Sequence, residues 1–295
     1  MLIAVASGKG GAGKTTITSS LAQVWNTPCV VVDADVEAPN IHLFLPPDIT
    51  AKDAITLEVP VLDESRCTTC GACAALCRFK AIAQLGQRIV VFPEMCHGCG
   101  GCFAVCPEKA LTSGTRLLGE LSEGSVLHGR HSFLMGKARV GESMSPPQIR
   151  AVHRRVKSLL KDGCDALIDA PPGVSCPAMT TVRDADIILL AAEPTPFGFH
   201  DFRLAHHAFL PLKKPMAVAI NRSGIPGNNQ GDEELRAYCQ EAGIPVLAEL
   251  PFDRNAAEFY AKGAVLALMS DSWRARFEEL RDALKSFYAR ERANA

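Results

Sequence analysis

Short apolar runs recur along the chain, each closing on polar or glycine-rich sequence. Leu2 to Ala6, Val30 to Val32, Ala166 to Ile168, Ile187 to Ala192, Met216 to Ile220 and Val246 to Glu249 read as strands buried on both faces. Longer stretches with helical spacing lie between them. Thr15 to about Val24 is one. A second starts at Pro146-Pro147, with Ser145 as its cap, and runs to about Leu160. A third starts near Phe199, and a fourth follows the Gly/Pro/Asn loop Ile225 to Gly231 with Asp232 as cap. In the tail, Ser270 to Ala289, the residues Trp273, Phe277, Leu280, Leu284 and Phe287 share one helix face, which predicts a helix packed on its own sheet. Strand and helix alternate throughout. That order predicts an α/β fold: a doubly wound, mainly parallel sheet with helices on both faces.

The pattern breaks between about 62 and 114, where apolar runs give way to cysteines. Cys67, Cys70, Cys73 and Cys77 are followed by Cys96, Cys99, Cys102 and Cys106, with the same internal spacing and a constant offset of 29 residues. The offset also superposes Lys80-Ala81-Ile82 on Lys109-Ala110-Leu111, so the segment is an internal duplication. Residues 114 to 145 are glycine-rich, with short apolar runs that return the chain to the sheet. His97, His128 and His131 read as loop residues. His200, His206 and His207 read as surface residues, and Cys29, Cys164 and Cys239 as core.

Composition narrows the class. Of the 295 residues 47% are apolar and 21% charged, ordinary for a globular protein, and the net charge of −1 supplies no general field for nucleic acid. No apolar run reaches transmembrane length, and the first strand starts at Leu2, so no signal peptide and no membrane association are expected. Of the twelve cysteines, eight stand at ligand spacing and argue for metal binding in a reducing compartment, which points to the cytoplasm.

The stretch Ser7 to Thr16, SGKGGAGKTT, lies between the first strand and the first helix. That is the context of a phosphate-binding loop. Gly10, Gly11 and Gly13 let backbone N–H groups turn toward phosphate oxygens, with Ala12 between them, and the helix dipole adds positive potential. Lys14 is placed for the β- and γ-phosphates and Thr15 for Mg²⁺; Thr16 completes the candidate site. The second predicted strand ends in Asp33-Ala34-Asp35, and a later one ends in Asp169 ahead of Pro171-Pro172-Gly173. Both ends fall at the sheet edge where α/β proteins place their sites.

With its additional lysine, Lys9, the loop resembles that of the MinD/ParA/Mrp family of P-loop ATPases, whose relatives include the nitrogenase iron protein. The resemblance implies that Lys9 reaches across an ATP-sandwich dimer to the partner's phosphates. It implies that Asp35 places the attacking water, that Asp33 and Asp169 join Thr15 in the Mg²⁺ shell, and that Pro171, Pro172 and Gly173 form switch II. Asn221 and Arg222 then contact adenine, with Pro251 bordering it. Cys176 stands where the iron protein has a cluster ligand, although the second cysteine of that arrangement is missing from Gly141 to Ser145. It is a candidate for metal or cargo binding.

The cysteine segment resembles a bacterial two-cluster ferredoxin, with Arg78 in place of a usual proline after Cys77. The resemblance implies two [4Fe–4S] clusters. Cys67, Cys70, Cys73 and Cys106 would hold the first, and Cys77, Cys96, Cys99 and Cys102 the second. An ATPase domain of residues 1–61 and 115–295 would then carry a ferredoxin-like insert at 62–114, as in MinD-like ATPases associated with the orange-protein complex. ATP or ADP, Mg²⁺ and two clusters are the expected cofactors. The expected assembly is a homodimer, or a heterodimer with a similar ATPase, serving a redox or metal-cluster partner and hydrolysing ATP slowly without it. Three roles follow: ATP-gated electron delivery or cluster assembly, carriage of iron–sulfur or heterometal units, and spatial positioning in the manner of MinD or ParA.

Overall fold

The computed structural model describes residues 1–160 and 163–294. β1 (Leu2–Ala6) leads into α1 (Lys14–Val24), and β2 (Cys29–Asp33) into the short α2 (Ile41–Phe44). A long arm, β3 (Asp48–Leu62), carries the chain to α3 (Ala72–Leu76), the hairpin β4 (Ile82–Leu85) and β5 (Arg88–Val91), and α4 (Gly101–Val105). β6 (Leu111–Val126) brings it back to β7 (His131–Ala138). Then follow α5 (Ser145–Leu159), β8 (Asp165–Asp169), α6 (Cys176–Arg183), β9 (Ile187–Ala192) and α7 (Pro196–Phe209). β10 (Met216–Ser223), α8 (Asn229–Glu241), β11 (Val246–Pro251), α9 (Arg254–Ala261) and α10 (Asp271–Asn294) complete the order.

One nine-stranded sheet, in the order β11-β10-β9-β1-β8-β2-β7-β6-β3, spans the molecule. The strands from β11 to β7 are parallel; β6 and β3 add antiparallel pairings at the other edge. Alternate residues feed two cores. Leu2, Ala4 and Ala6 of β1 join a core with α5, α6, α7 and α8 residues, whereas Ile3 and Val5 join the other with α1 and α10. Burying both faces is what the continuous apolar runs require. The tail lies where its spacing predicts: Trp273, Phe277, Leu280, Leu284 and Phe287 are buried in the second core. Arg281 Nη1 ties the tail to α1 through the Val24 carbonyl at 2.7 Å.

β3 and β6 pair antiparallel from Asp48↔Ser125 to Leu62↔Leu111 and hold the cysteine segment between their ends. Inside it the duplication of sequence is a duplication of structure. Asp63 N–H donates to the Ala110 carbonyl, and 29 residues on in one repeat and 29 back in the other, Phe92 N–H donates to the Ala81 carbonyl, both at 2.8 Å. Gly71 and Gly100 begin α3 and α4 in the left-handed region, at φ 77° and 74°. Lys80 and Lys109, also one repeat apart, take the same region at φ 57° and 49°. Two lysines holding a conformation disfavoured for L-residues shows that the tight turns override local preference in both copies.

Several local expectations need correction. His131 and His206 are buried rather than solvated. His131 sits at the start of β7, where its Nδ1 accepts the Cys29 N–H at 3.3 Å and its Nε2 lies 2.9 Å from the Ala22 carbonyl. Ser145 is the first residue of α5, not its cap, and gives its hydroxyl to Glu37. Asp232 lies inside α8, where its Oδ2 accepts the Gly224 N–H at 3.0 Å. Cys164 is half-buried, whereas Cys29 and Cys239 are core.

Candidate nucleotide site and cysteine cavities

The loop after β1 is shaped by glycine. Gly11 and Gly13 have φ of 80° and 100°. A Cβ on Gly13 would stand 2.1 Å from Asn221 Nδ2. Asn221, at the end of β10, spends that amide nitrogen on the Ala12 carbonyl at 3.0 Å, so it braces the loop from across the cavity. Sequence reading assigned it only to adenine. Gly10, Gly11, Gly13, Lys14, Thr15, Thr16, Asn221, Arg222 and Pro251 all line one cavity of about 320 Å³. Asp35 and Pro172 border the same space, with Tyr260 and Phe252 at its apolar end.

Lys14 is buried, and its Nζ donates to Ser7 Oγ at 3.0 Å. Burial pulls its pKa down, against the attraction of Asp169 and Asp35. Such an ammonium gains when an anion enters the cavity. Thr15 Oγ1 lies 2.5 Å from Asp169 Oδ2 and 2.8 Å from Asn40 Oδ1. One hydroxyl proton serves one of these acceptors, leaving the other oxygen pair face to face. Asp169 Oδ1 is buried with no hydrogen-bond partner. Burial pushes the Asp169 carboxyl up to about 7, resisted by the Thr15 hydrogen bond and by Lys14. Crowded, under-satisfied oxygens of this kind are the donor set that Mg²⁺ takes. Asn40 belongs to the set and was missed as a ligand candidate.

Asp33 is placed differently from its neighbours. It is wholly buried, and its carboxylate accepts the N–H groups of Asn40 at 2.8 Å, Ile41 at 2.9 Å and Asp35 at 3.2 Å. It organises the loop that carries Asp35. Burial, then the nearby Asp169, raises its pKa well above the usual carboxylate range. Asp35 is also raised, by burial first, while Lys14 pulls it down. Gly173 has φ 84°, and its N–H donates to the Ser7 carbonyl at 2.9 Å, so the Pro171–Gly173 turn is tied to the loop after β1. Lys9 does not enter the cavity: its Nζ pairs with Glu193 Oε2 at 3.1 Å. Cys176 opens α6 and is exposed.

The eight duplicated cysteines gather around two cavities. Cys67, Cys70, Cys73 and Cys106 line a narrow one of about 20 Å³. Cys77, Cys96, Cys99 and Cys102 line a second, of about 310 Å³, with Cys73 also at its wall. Both cavities therefore mix the repeats: the first takes three cysteines from the first repeat and Cys106 from the second, and the second takes three from the second repeat with Cys77 and Cys73 from the first. Backbone N–H groups of Gly98 and Ala110 point at Cys96 Sγ and Cys106 Sγ, at 3.4 and 3.2 Å. Phe79 and His97 stack at 3.7 Å beside the second cavity, which leaves His97 a wall residue. Burial raises the Cys73 and Cys102 thiols, with neighbouring cysteines adding to it. Among the described residues no group of three or more His, Cys, Asp or Glu converges on one metal ion. All-cysteine donors, apolar walls and N–H groups aimed at sulfur suit a cluster in chemistry. The narrow first cavity has to widen to admit one.

Residues 3–266 match the family described as the CobQ/CobB/MinD/ParA nucleotide binding domain. The chain is 30% identical over 292 residues to the uncharacterized protein MJ0578 of Methanocaldococcus jannaschii, covering 97% of each chain. Its fold is similar to the cell division ATPase MinD of Pyrococcus furiosus, with a TM-score of 0.56 at 19% identity over 97% of this chain and 98% of that one. It is similar also to the septum site-determining protein MinD of Pyrococcus horikoshii in complex with Mg-ADP, with a TM-score of 0.56 at 18% identity over 96% and 95%.

Proposed function

Because the chain belongs to the CobQ/CobB/MinD/ParA nucleotide-binding family, we propose that it binds Mg-ATP in the phosphate-loop cavity and hydrolyses it. The observation that carries this is that Lys14, Thr15 and Asn40 line one cavity while Asp169, with its unpartnered Oδ1, is held directly behind Thr15. Thr15 and Asp169 would hold Mg²⁺, which would supply neutralising charge at the phosphate oxygens. Lys14 neutralises the β- and γ-phosphates, and Asp35 orients water for attack. The Gly173 N–H leaves the Ser7 carbonyl and meets the γ-phosphate. Lys9 leaves Glu193 and completes the site of a second copy, or of a similar ATPase, in an ATP-gated dimer. The Mg-ADP complex of the Pyrococcus horikoshii relative supports the choice of nucleotide.

The cysteine segment, residues 62–114, is in this reading a ferredoxin-like insert. Its two four-cysteine sets hold [4Fe–4S] clusters, which supply one-electron transfer when bound. The crossing of cysteines between repeats is the feature that supports it. The dimer then delivers electrons to, or takes part in assembling, a partner metal-cluster protein. A carrier role for the clusters themselves is a variant of the same reading.

A second reading is positioning, in the manner of MinD or ParA. End-to-end overlap with MinD chains favours it and needs no cluster. An anaerobic preparation separates the two. Iron and sulfide near eight per chain, falling to about four in Cys77→Ser, support the cluster reading. A midpoint potential that moves with Mg-ATP supports gating. A preparation without iron that sediments with liposomes only in Mg-ATP supports positioning instead.

A further inference from the structure

Arg116, on β6, is buried beside the second cysteine block. Its Nη1 donates to the Glu94 carbonyl at 2.8 Å and to Glu94 Oε2 at 3.1 Å. Its Nη2 donates to the Cys96 carbonyl at 3.4 Å. The same Nη1 lies 3.4 Å from Glu142 Oε2, and the Glu142 side chain is only 2% exposed. Glu142 Oε1 accepts the Met144 N–H at 2.9 Å. The next residue, Ser145, donates its hydroxyl to Glu37. Glu37 lies on the loop between β2 and α2, close behind Asp35, and the Val36 carbonyl of that loop accepts the Ala138 N–H at 2.7 Å. A line of polar contacts, buried at the Arg116, Glu142 and Ser145 side chains and open to solvent at Glu94 and Glu37, thus joins the Cys96 loop, by way of the Met144–Ser145 peptide link, to the loop that faces the nucleotide cavity.

Two features make the line movable. Glu142 Oε2 has no hydrogen-bond partner although it is buried, so an alternative pairing with Arg116 or with Arg139, now 3.8 Å away, is open to it. A cavity of about 170 Å³ lies where Asp35, Glu37 and Ser145 meet Pro171 and Pro172. Leaving a buried guanidinium without a carboxylate is costly, so a shift of Glu142 toward Arg139 draws Arg116 with it.

We propose that Arg116 and Glu142 are positioning residues that couple the nucleotide cavity to the second cysteine block. Displacement of the Asp35–Ala38 loop by nucleotide passes through Ser145 and Glu142 to Arg116, and from there to the carbonyls of Glu94 and Cys96. The coupling rests on the Mg-nucleotide reading above; it does not require that the cysteines hold a cluster.

The test is hydrogen exchange by mass spectrometry on the full chain, purified anaerobically, with and without Mg-ADP. Each protein is compared with itself, so cluster content does not enter. Wild type should show exchange in peptides spanning 93–99 slowed at least about threefold by Mg-ADP. Glu142→Gln keeps an acceptor for Met144 but loses the charge facing Arg116. Arg116→Lys keeps the charge but not the fork. Both should lose the Mg-ADP effect at 93–99 while binding a fluorescent ADP analogue within about twofold of wild type. Exchange in α8, far from the line, should stay as in wild type, which separates lost coupling from lost folding. An undiminished effect in both variants overturns the inference. So does tight Mg-ADP binding by wild type with no change at 93–99, which leaves the nucleotide reading standing. Failure of wild type to bind Mg-ADP overturns that reading and the inference with it.

Discussion

Lys9 Nζ lies 3.1 Å from Glu193 Oε2, and the other oxygen of the same carboxylate takes Arg222 Nη1 at 3.0 Å. Glu193 therefore holds two cations together, Arg222 on the wall of the cavity and Lys9 on the loop after β1. The Lys9 side chain is 30% exposed and that of Glu193 10%, so solvent weakens the pair without cancelling it. Such a pair is worth about 0.5–1 kcal/mol. For Lys9 to serve a second copy this contact has to break. Glu193→Gln should thus tighten Mg-ATP-dependent self-association about two- to fivefold in sedimentation velocity. Lys9→Ala in the same background should remove the gain. Unchanged association in Glu193→Gln would show that the pair is no brake.

The short contact between Thr15 and Asp169 makes a second prediction. Asp169→Asn keeps the hydrogen bond to Thr15 but removes the charge that attracts a divalent cation. Fluorescent-ADP binding in EDTA should change little, whereas the gain on adding Mg²⁺ should fall by at least about tenfold, or 1.4 kcal/mol. A full Mg²⁺ response in the variant would place the ion elsewhere.

The tail helix should bear stability rather than association. Phe277 is fully buried between α10 and the sheet, and Trp273 Nε1 reaches Asp253 Oδ2 at 3.4 Å. Phe277→Ala should cost about 3–5 kcal/mol in urea unfolding, as large-to-small core changes do. Loss of partner binding with unchanged stability is the opposite result, and would assign the face to an interface.

His153 predicts a pH dependence. It is buried in α5, both ring nitrogens lack hydrogen-bond partners, and burial holds its pKa below the ordinary 6.5. Asp184 opposes that shift, and Lys157 and Arg183 add to it. The unfolded chain takes up a proton below about pH 6.5 that the native ring refuses. Stability is therefore lost as pH falls from there toward the lower native pKa. His153→Leu should flatten this acid limb in thermal melts between pH 7 and 5, and at neutral pH should gain about 1–2 kcal/mol by removing unpaired polar atoms. An acid limb identical to wild type would assign the titration to other groups, such as His131.

Features carried by local sequence were the legible ones. Glycines that must take positive φ, apolar runs buried on both faces and a constant cysteine offset act over a few residues, so the phosphate loop, the parallel strands, the 29-residue repeat and the tail face could all be read directly. The arm β3 was harder to read: Ile55, Leu57, Val59 and Val61 alternate in its second half, but its residues from Asp48 to Ala54 are exposed. It is a strand because β6, about fifty residues away at its near end and about eighty at its far end, satisfies its backbone. His131 was read as solvated because burial there comes from the pairing of β7 with β2, not from its neighbours in sequence. The same holds for the polar contacts at the site. Thr15 meets Asp169 across 154 positions, and Lys9 meets Glu193 only because β1 and β9, whose ends they follow, pair side by side. Sequence by itself determined which chemistry the chain carries and at what spacing, because those constraints are local. Tertiary structure alone decided that Asn221 braces the phosphate loop, that Asp33 orders its neighbour, and that Arg116 reaches Glu94, Cys96 and Glu142, since each depends on contacts the chain makes only after the sheet has brought distant strand ends together.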